Sequence, residues 1–192
     1  MTRAFVFPGQ GSQAVGMGQE LVAAFSVARE TLEEIDDALG QNLSKLMAQG
    51  PAEELQLTEN AQPALMALSM AVLRVLETEG GIDLSKSCAF VAGHSLGEYS
   101  ALAAARTFGL ADTARLLKIR GQAMQKAVPV GVGGMAALLG ADMEVAQEIA
   151  DAAAQGEVCS TANDNAPGQI VLSGAMTAID RAIEIAAEKG IK

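Results

Sequence analysis

Along this chain, short and nearly continuous apolar runs alternate with longer stretches in which apolar residues recur every three or four positions, which predicts strands interleaved with helices. Arg3 to Phe7 reads as a first strand, and its almost unbroken apolar run predicts burial on both faces. Gly18 to Leu39 has helical spacing and is dense in Glu30, Glu33, Glu34, Asp36 and Asp37. Asn42 to Leu57 reads as short helix and loop, punctuated by Gly50-Pro51. Pro63 suits the first position of a helix running to about Glu77, since its missing N–H would be unpaired there, and Gly80-Gly81 closes it. Ala89 to Gly93 is a second strand, Leu96 to Arg106 an alanine-rich helix, and a further helix begins near Asp112 after Gly109-Leu110.

Val128-Pro129-Val130-Gly131-Val132-Gly133-Gly134 has the composition of a flexible connector and marks a predicted boundary between residues 1–127 and 128–192. Beyond it the pattern predicts strand Met135 to Leu139, helix Met143 to Ala154, strand Glu157 to Ala162, strand Gln169 to Ser173 and helix Thr177 to Lys189. The turn Asn163 to Gly168 joins the middle strands. This β-α-β-β-α order is a ferredoxin-like unit without its last strand. Gly190-Ile191-Lys192 stands where that strand would begin, so both parts of the chain are expected to be incomplete at the C-terminus.

Composition narrows the class. The chain has 192 residues, of which 50% are hydrophobic but only 3% aromatic, with no Trp. Small and aliphatic side chains in that proportion suit helices packed closely on a sheet, an α/β fold, better than a β-sandwich. The formal net charge of −10 argues against nucleic acid as a partner. Yet Arg106, Arg115, Lys118, Arg120 and Lys126 are five of the thirteen basic residues, and they face a single acid, Asp112, over that stretch. They form an expected local docking patch for an anionic partner. The apolar run Pro63 to Leu73 is too short to span a bilayer, and no basic-then-apolar leader precedes the first strand, so a cytoplasmic protein without membrane contact is expected. Cys88 and Cys159 lie in strand-like runs without metal-ligand spacing and are expected to be buried, reduced thiols. No metal and no cofactor are expected.

Chemistry concentrates in Gly93-His94-Ser95-Leu96-Gly97, a Gly-x-Ser-x-Gly pattern between a strand and a helix. That is the context of a nucleophile elbow, in which glycines let the backbone turn tightly and the helix start supplies unpaired N–H groups beside the hydroxyl. The same five residues also fit a plain glycine-bounded turn with a serine cap. Pro8 to Ala14 matches the G-x-G-x-x-A form of a dinucleotide fingerprint, but the second strand ending in an acid that this requires is replaced by helix. As a glycine-rich loop after an early strand, it suits the second donor of an oxyanion hole, with Gln10 at the strand end, or else a plain turn. On the helix after Asp112, the stripe Thr113, Leu116, Leu117, Arg120, Met124 places Arg120 on the face expected to be buried, with Arg115, Lys118 and Gln122 pointing elsewhere. A guanidinium there calls for an anion, either a core Asp or Glu or a substrate carboxylate. His94 is the only histidine; adjacent to Ser95 at a tight turn, it is poorly placed as a base and reads as a pocket-lining residue. Gln62 receives no role.

Taken together and in order, Phe7-Pro8-Gly9-Gln10-Gly11-Ser12-Gln13, Gly93-His94-Ser95-Leu96-Gly97-Glu98, Arg120-Gly121-Gln122-Ala123-Met124 and Asn165-Ala166-Pro167-Gly168-Gln169 resemble the malonyl-CoA:acyl-carrier-protein transacylase family of bacterial fatty-acid synthesis. Acyltransferase domains of polyketide synthases share the elbow. The resemblance implies an α/β-hydrolase-like large domain with an inserted ferredoxin-like small domain, and a ping-pong reaction; a monomer is expected. Ser95 would attack the thioester of malonyl-CoA, release CoA, and hold the malonyl ester until the phosphopantetheine thiol of acyl carrier protein takes it. Backbone N–H groups of Gln10 and Leu96 would bind the oxyanion, Arg120 would pair with the malonyl carboxylate, and His94, Met124 and Gln169 would line the pocket. The base implied by the resemblance is a histidine beyond the small domain, which no position of this sequence matches, so an N-terminal portion that is inactive alone is expected. A serine esterase or thioesterase of related fold would share Ser95 without needing Arg120. A non-catalytic fragment would instead bind carrier protein on the Arg106 to Lys126 patch.

Overall fold

A computed structural model describes residues 3–129 and 131–192; Val130 of the predicted connector lies outside the described residues. The chain divides into two compact units, Met1–Lys126 and Ala127–Lys192. The first runs β1 (Ala4–Phe7), α1 (Gln19–Ala24), α2 (Ser26–Leu39), α3 (Leu43–Gln49), α4 (Ala52–Gln56), α5 (Thr58–Thr78), α6 (Leu84–Ser87), β2 (Phe90–Gly93), α7 (Leu96–Ala104) and α8 (Leu110–Ala127). The second runs β3 (Gly133–Leu139), α9 (Met143–Ala154), β4 (Cys159–Ala166), β5 (Gln169–Ala175) and α10 (Met176–Glu188). The fold is α/β, with a parallel pair in the first unit and an antiparallel sheet in the second.

In the first unit β1 and β2 pair in parallel, Ala4 opposite Phe90 and Phe7 opposite Gly93. Successive side chains point to opposite faces, and only one face meets the core. Phe7 is buried and Phe5 and Val91 pack against the helices, whereas Val6 is 73% and Phe90 66% exposed. The expected burial on both faces is therefore corrected. An apolar run shows that a strand can be covered twice, but the packing partners determine whether it is. The long segment from Gly18 to Leu39 is likewise two helices, broken at Phe25, whose backbone is extended.

The central element is α5, and it begins earlier than Pro63. Its first residue is Thr58, so Pro63 lies inside it, and Asn60 through Ala67 are all buried. A proline within a helix costs about 3 kcal/mol through a lost hydrogen bond and a clash. Each large apolar side chain buried nearby returns about 1.5–3 kcal/mol, and Leu65, Met66, Met70, Leu73 and Val75 are all in the core. Burial outweighs the local defect, and the helix carries Gln62 into the interior.

In the second unit the strand order is β3-β5-β4, fully antiparallel, with α9 and α10 packed on the sheet. Leu138, Ile170 and Leu172 face Ile149, Ile179 and Ala182 in its core, while Met135 and Leu139 look outward. This is ferredoxin-like order. Lys192 exchanges backbone hydrogen bonds with Leu139, at 2.6 and 3.2 Å, beside β3. The expected turn from Asn163 to Gly168 is mostly strand: β4 continues to Ala166 through two register shifts, leaving a two-residue loop at Pro167-Gly168. Irregular pairing accommodates the Asn and Asp residues that the sequence pattern assigned to a loop. Asp142 caps α9 through the Val145 N–H at 2.9 Å. Arg181 closes the other end on the carbonyls of Ala153 and Ala154, and pairs with Glu157 at 2.6 Å. Cys159 opens β4, but Cys88 follows α6 rather than lying in a strand; both are free and half-buried. Among the described residues no helix is long and apolar enough to cross a membrane.

Candidate active site

Ser95 occupies the turn between β2 and α7 with φ 56° and ψ −113°. Such a backbone costs a non-glycine residue about 1–3 kcal/mol and persists only where its surroundings enforce it. The flanking glycines make room for it. A Cβ on Gly93 would lie 1.9 Å from the carbonyl carbon of Gly97, and one on Gly97 would lie 2.3 Å from the Phe7 carbonyl oxygen. Neither glycine has positive φ, so their part is close approach, and the unusual conformation falls on the serine itself. The missing Cβ at each glycine lets the turn close this tightly, as the sequence pattern implied.

Because β1 and β2 are parallel, the loop after Phe7 and the elbow after Gly93 leave the sheet at the same carboxyl end, where open α/β sheets bind ligands. The His94 N–H donates to the Phe7 carbonyl at 3.3 Å, and a Cβ on Gly9 would meet His94 Nδ1 at 2.7 Å. The loop thus passes directly over His94. Gln10 stands on it, with its side-chain Oε1 accepting from Thr58 Oγ1 at 2.9 Å. Among the described residues, neither the Gln10 nor the Leu96 N–H donates to a protein acceptor. Leu96 also opens α7, whose aligned peptides place partial positive charge at that end. The arrangement offers two backbone donors beside one hydroxyl.

Arg120 completes the constellation. Its Nη2 donates to Ser95 Oγ at 3.0 Å and its Nη1 to Gln62 Oε1 at 2.5 Å, while the guanidinium lies 5.7 Å from the Tyr99 ring centroid. Gln62 is fully buried, and its Nε2 donates to Met124 Sδ at 3.3 Å. Among the described residues no carboxylate pairs with Arg120. The predicted stripe is displaced, however. The buried face of α8 is Leu110, Thr113, Ala114, Leu117 and Gly121, with Leu116 40% and Met124 47% exposed. Gly121 is the cause: a Cβ there would lie 2.5 Å from Glu59 Cα, so the helix contact runs through Gly121 and leaves Arg120 half-buried at its margin, beside the serine.

Gln62 and Tyr99 join the site through tertiary contacts that the sequence pattern does not assign. Gln62 carried a usable signal, a lone amide in the apolar stretch Ala61 to Leu68, but reading Pro63 as a helix start put it outside the helix. Lys118 does not point away from the core as expected. It reaches Asn60 Oδ1 at 2.9 Å and Glu59 at 3.3 Å. Within the predicted basic patch, Arg106 pairs with Glu77, Arg115 with Asp112 and Lys118 with Glu59, while Arg120 donates to the neutral Gln62 and Ser95. Arg106 and Arg115 nevertheless stay 78% and 54% exposed in these pairs. Gln169, the last predicted site residue, lies in the second unit as the first residue of β5, paired with Leu139 and Ala166.

Residues 4–192 match the family model described as acyl transferase domain. The malonyl CoA-acyl carrier protein transacylase of Escherichia coli strain K12 is 49% identical over 179 residues, which cover 93% of this chain and 57% of that protein. The crystal structure of an acyl-carrier-protein S-malonyltransferase from Bartonella henselae is 57% identical with a TM-score of 0.93, covering 100% of this chain and 61% of that one. A malonyl-transacylase solved in complex with a type II PKS acyl-carrier protein is 43% identical with a TM-score of 0.90, again over 100% of this chain and 61% of the other. The chain thus spans about three-fifths of the length of these relatives, and it shares their α/β-hydrolase-like large and ferredoxin-like small folds.

Proposed function

Since the chain belongs to the acyl transferase domain family, we propose that it forms the nucleophile, oxyanion and carboxylate sites of a malonyl-CoA:acyl-carrier-protein transacylase acting in the cytoplasm. One observation carries this reading: a guanidinium with no carboxylate partner among the described residues stands 3.0 Å from the elbow hydroxyl. An acyl group held at Ser95 therefore meets a cation with a planar fork, which favours an acyl group ending in a carboxylate over a plain one.

Ser95 Oγ attacks the thioester carbonyl carbon and gives up its proton to a base, which we assign to none of these 192 residues. The carbonyl oxygen becomes an oxyanion held by the N–H groups of Leu96 and Gln10. As the C–S bond breaks, CoA leaves as the thiol with that proton, and the malonyl group remains as an ester on Ser95. The phosphopantetheine thiol of the carrier protein reverses the sequence, attacking the ester and returning the proton to Ser95. Arg120 holds the malonyl carboxylate throughout, and His94 and Met124 line the acyl pocket. Gln62 and Tyr99 keep the guanidinium oriented between exchanges.

Such a double displacement gives ping-pong kinetics. Initial rates of malonyl transfer by the protein at its full native length, with both substrates varied, are expected to give parallel double-reciprocal lines, and Ser95→Ala to abolish transfer. Intersecting lines, or transfer that survives Ser95→Ala, would overturn the proposal.

A further inference from the structure

The loop that carries Gln10 is held by a side chain that the proposed chemistry does not use. Gln13 is 8% exposed, and both ends of its amide are engaged. Its Oε1 accepts the Gly11 N–H at 2.9 Å, inside the loop, and its Nε2 donates to Gln56 Oε1 at 2.5 Å, on α4. Gln56 Nε2 lies 3.4 Å from the Gln13 carbonyl oxygen, closing a reciprocal pair between two segments 43 residues apart. Gly11 has φ +133°, a conformation that without such a tether is one among many open to a glycine.

From this arrangement we infer that Gln13 is a positioning residue for the oxyanion hole. The Gly11 N–H belongs to the peptide that follows Gln10. Anchoring that peptide on Gln13 Oε1 restricts ψ of Gln10 and so narrows the directions open to the Gln10 N–H, which stays unengaged among the described residues. Gln56 fixes Gln13 in turn, so the helical layer sets the donor's aim. The hydrogen bond from Thr58 Oγ1 to Gln10 Oε1 acts on the same residue from the start of α5. A donor preorganised in this way stabilises the developing oxyanion more than the ground-state carbonyl, so its loss appears in turnover rather than in binding. The inference rests on the transacylase reading for its catalytic consequence and on geometry alone for the tether.

The test compares Gln13→Leu, Gln13→Glu and Gln56→Leu in the protein at its full native length. Gln13→Leu removes both bonds at similar volume and is expected to lower kcat for malonyl transfer by about tenfold or more, short of deleting a donor outright, with KM within about twofold. Gln13→Glu keeps the acceptor for Gly11 and can accept from a rotated Gln56 amide, so it is expected to recover most of that loss. Gln13→Leu with Gln56→Leu is expected to be no worse than Gln13→Leu alone, since the two act as one unit. Amide exchange at Gly11 should quicken in Gln13→Leu while core amides of α5 do not change. Unchanged kcat, a loss that Gln13→Glu fails to recover, or a loss confined to KM would overturn the inference. If the wild-type protein transfers no malonyl group, the transacylase reading falls, and the tether is decided by exchange: faster at Gly11 upholds it, unchanged rejects it.

Discussion

Replacing Arg120 by Ala removes the guanidinium that donates to Ser95 and Gln62, and its expected effect can be worked from those contacts. A hydrogen bond to a charged group contributes about 1.5–3 kcal/mol, and the fork offers two to a carboxylate. Because Arg120 is only half-buried, the lower end applies, about 3 kcal/mol for the pair. At about 1.4 kcal/mol per tenfold, this corresponds to a loss of about 10²-fold in preference for malonyl over acetyl thioester. The substitution also strands Gln62 Oε1 in a fully buried position, which costs about 1–3 kcal/mol of stability. The preference ratio separates the two effects, since both substrates meet the same folded fraction. The assay is kcat/KM for malonyl-CoA and acetyl-CoA on the wild type, Arg120→Ala and Arg120→Lys, with Lys expected between them because it keeps the charge without the fork. A malonyl-to-acetyl ratio in Arg120→Ala that stays within about threefold of the wild type would refute the assignment of Arg120, by the arithmetic above.

Two further predictions concern stability. Ser100 is fully buried in α7 and its hydroxyl has no hydrogen-bond partner among the described residues, so Ser100→Ala is expected to leave stability unchanged or raise it by about 1 kcal/mol in urea unfolding; a clear loss would mean that the hydroxyl is satisfied. The Glu157 carboxyl is held below its ordinary value of 4.5 by hydrogen bonds from Arg181 and then Thr177. A folded value depressed below the unfolded one gives stability that is present above the unfolded value and lost as pH falls through the folded value. Glu157→Gln should therefore lower Tm at neutral pH, and the gap to the wild type should close in acid; a gap that persists once the carboxyl is protonated would contradict this.

Much of the site was legible because its signals are local. A strand, a serine between glycines and a helix start lie within a dozen residues, and Leu96 and Ser95 follow from that order alone. Arg120 stood out through helical spacing, although the stripe that singled it out is not the face that α8 buries. Its surroundings were not legible, because they depend on tertiary contacts that no period encodes. Gly121 brings α8 close to the start of α5 and shifts the buried face. Pro63 continues a helix that its chemistry should begin, because burial along α5 outweighs the proline penalty. Lys118 points away from the stripe by spacing, yet it finds an acid on another element, Glu59 of α5. In the second unit the helices were placed within a residue or two, whereas β4 ran on through Asn and Asp because cross-strand pairing, not propensity, set its end.

The central claim is that Ser95 carries the acyl group, and the mass of the intact protein tests it directly. On exposure of the full native length to malonyl-CoA, one malonyl adduct is expected per chain, mapping to the peptide that contains Ser95, with one equivalent of CoA released. The adduct should disappear on adding the thiol form of carrier protein and be absent from Ser95→Ala. A protein that transfers malonyl without ever showing that adduct, or that bears it on a residue other than Ser95, would contradict the account.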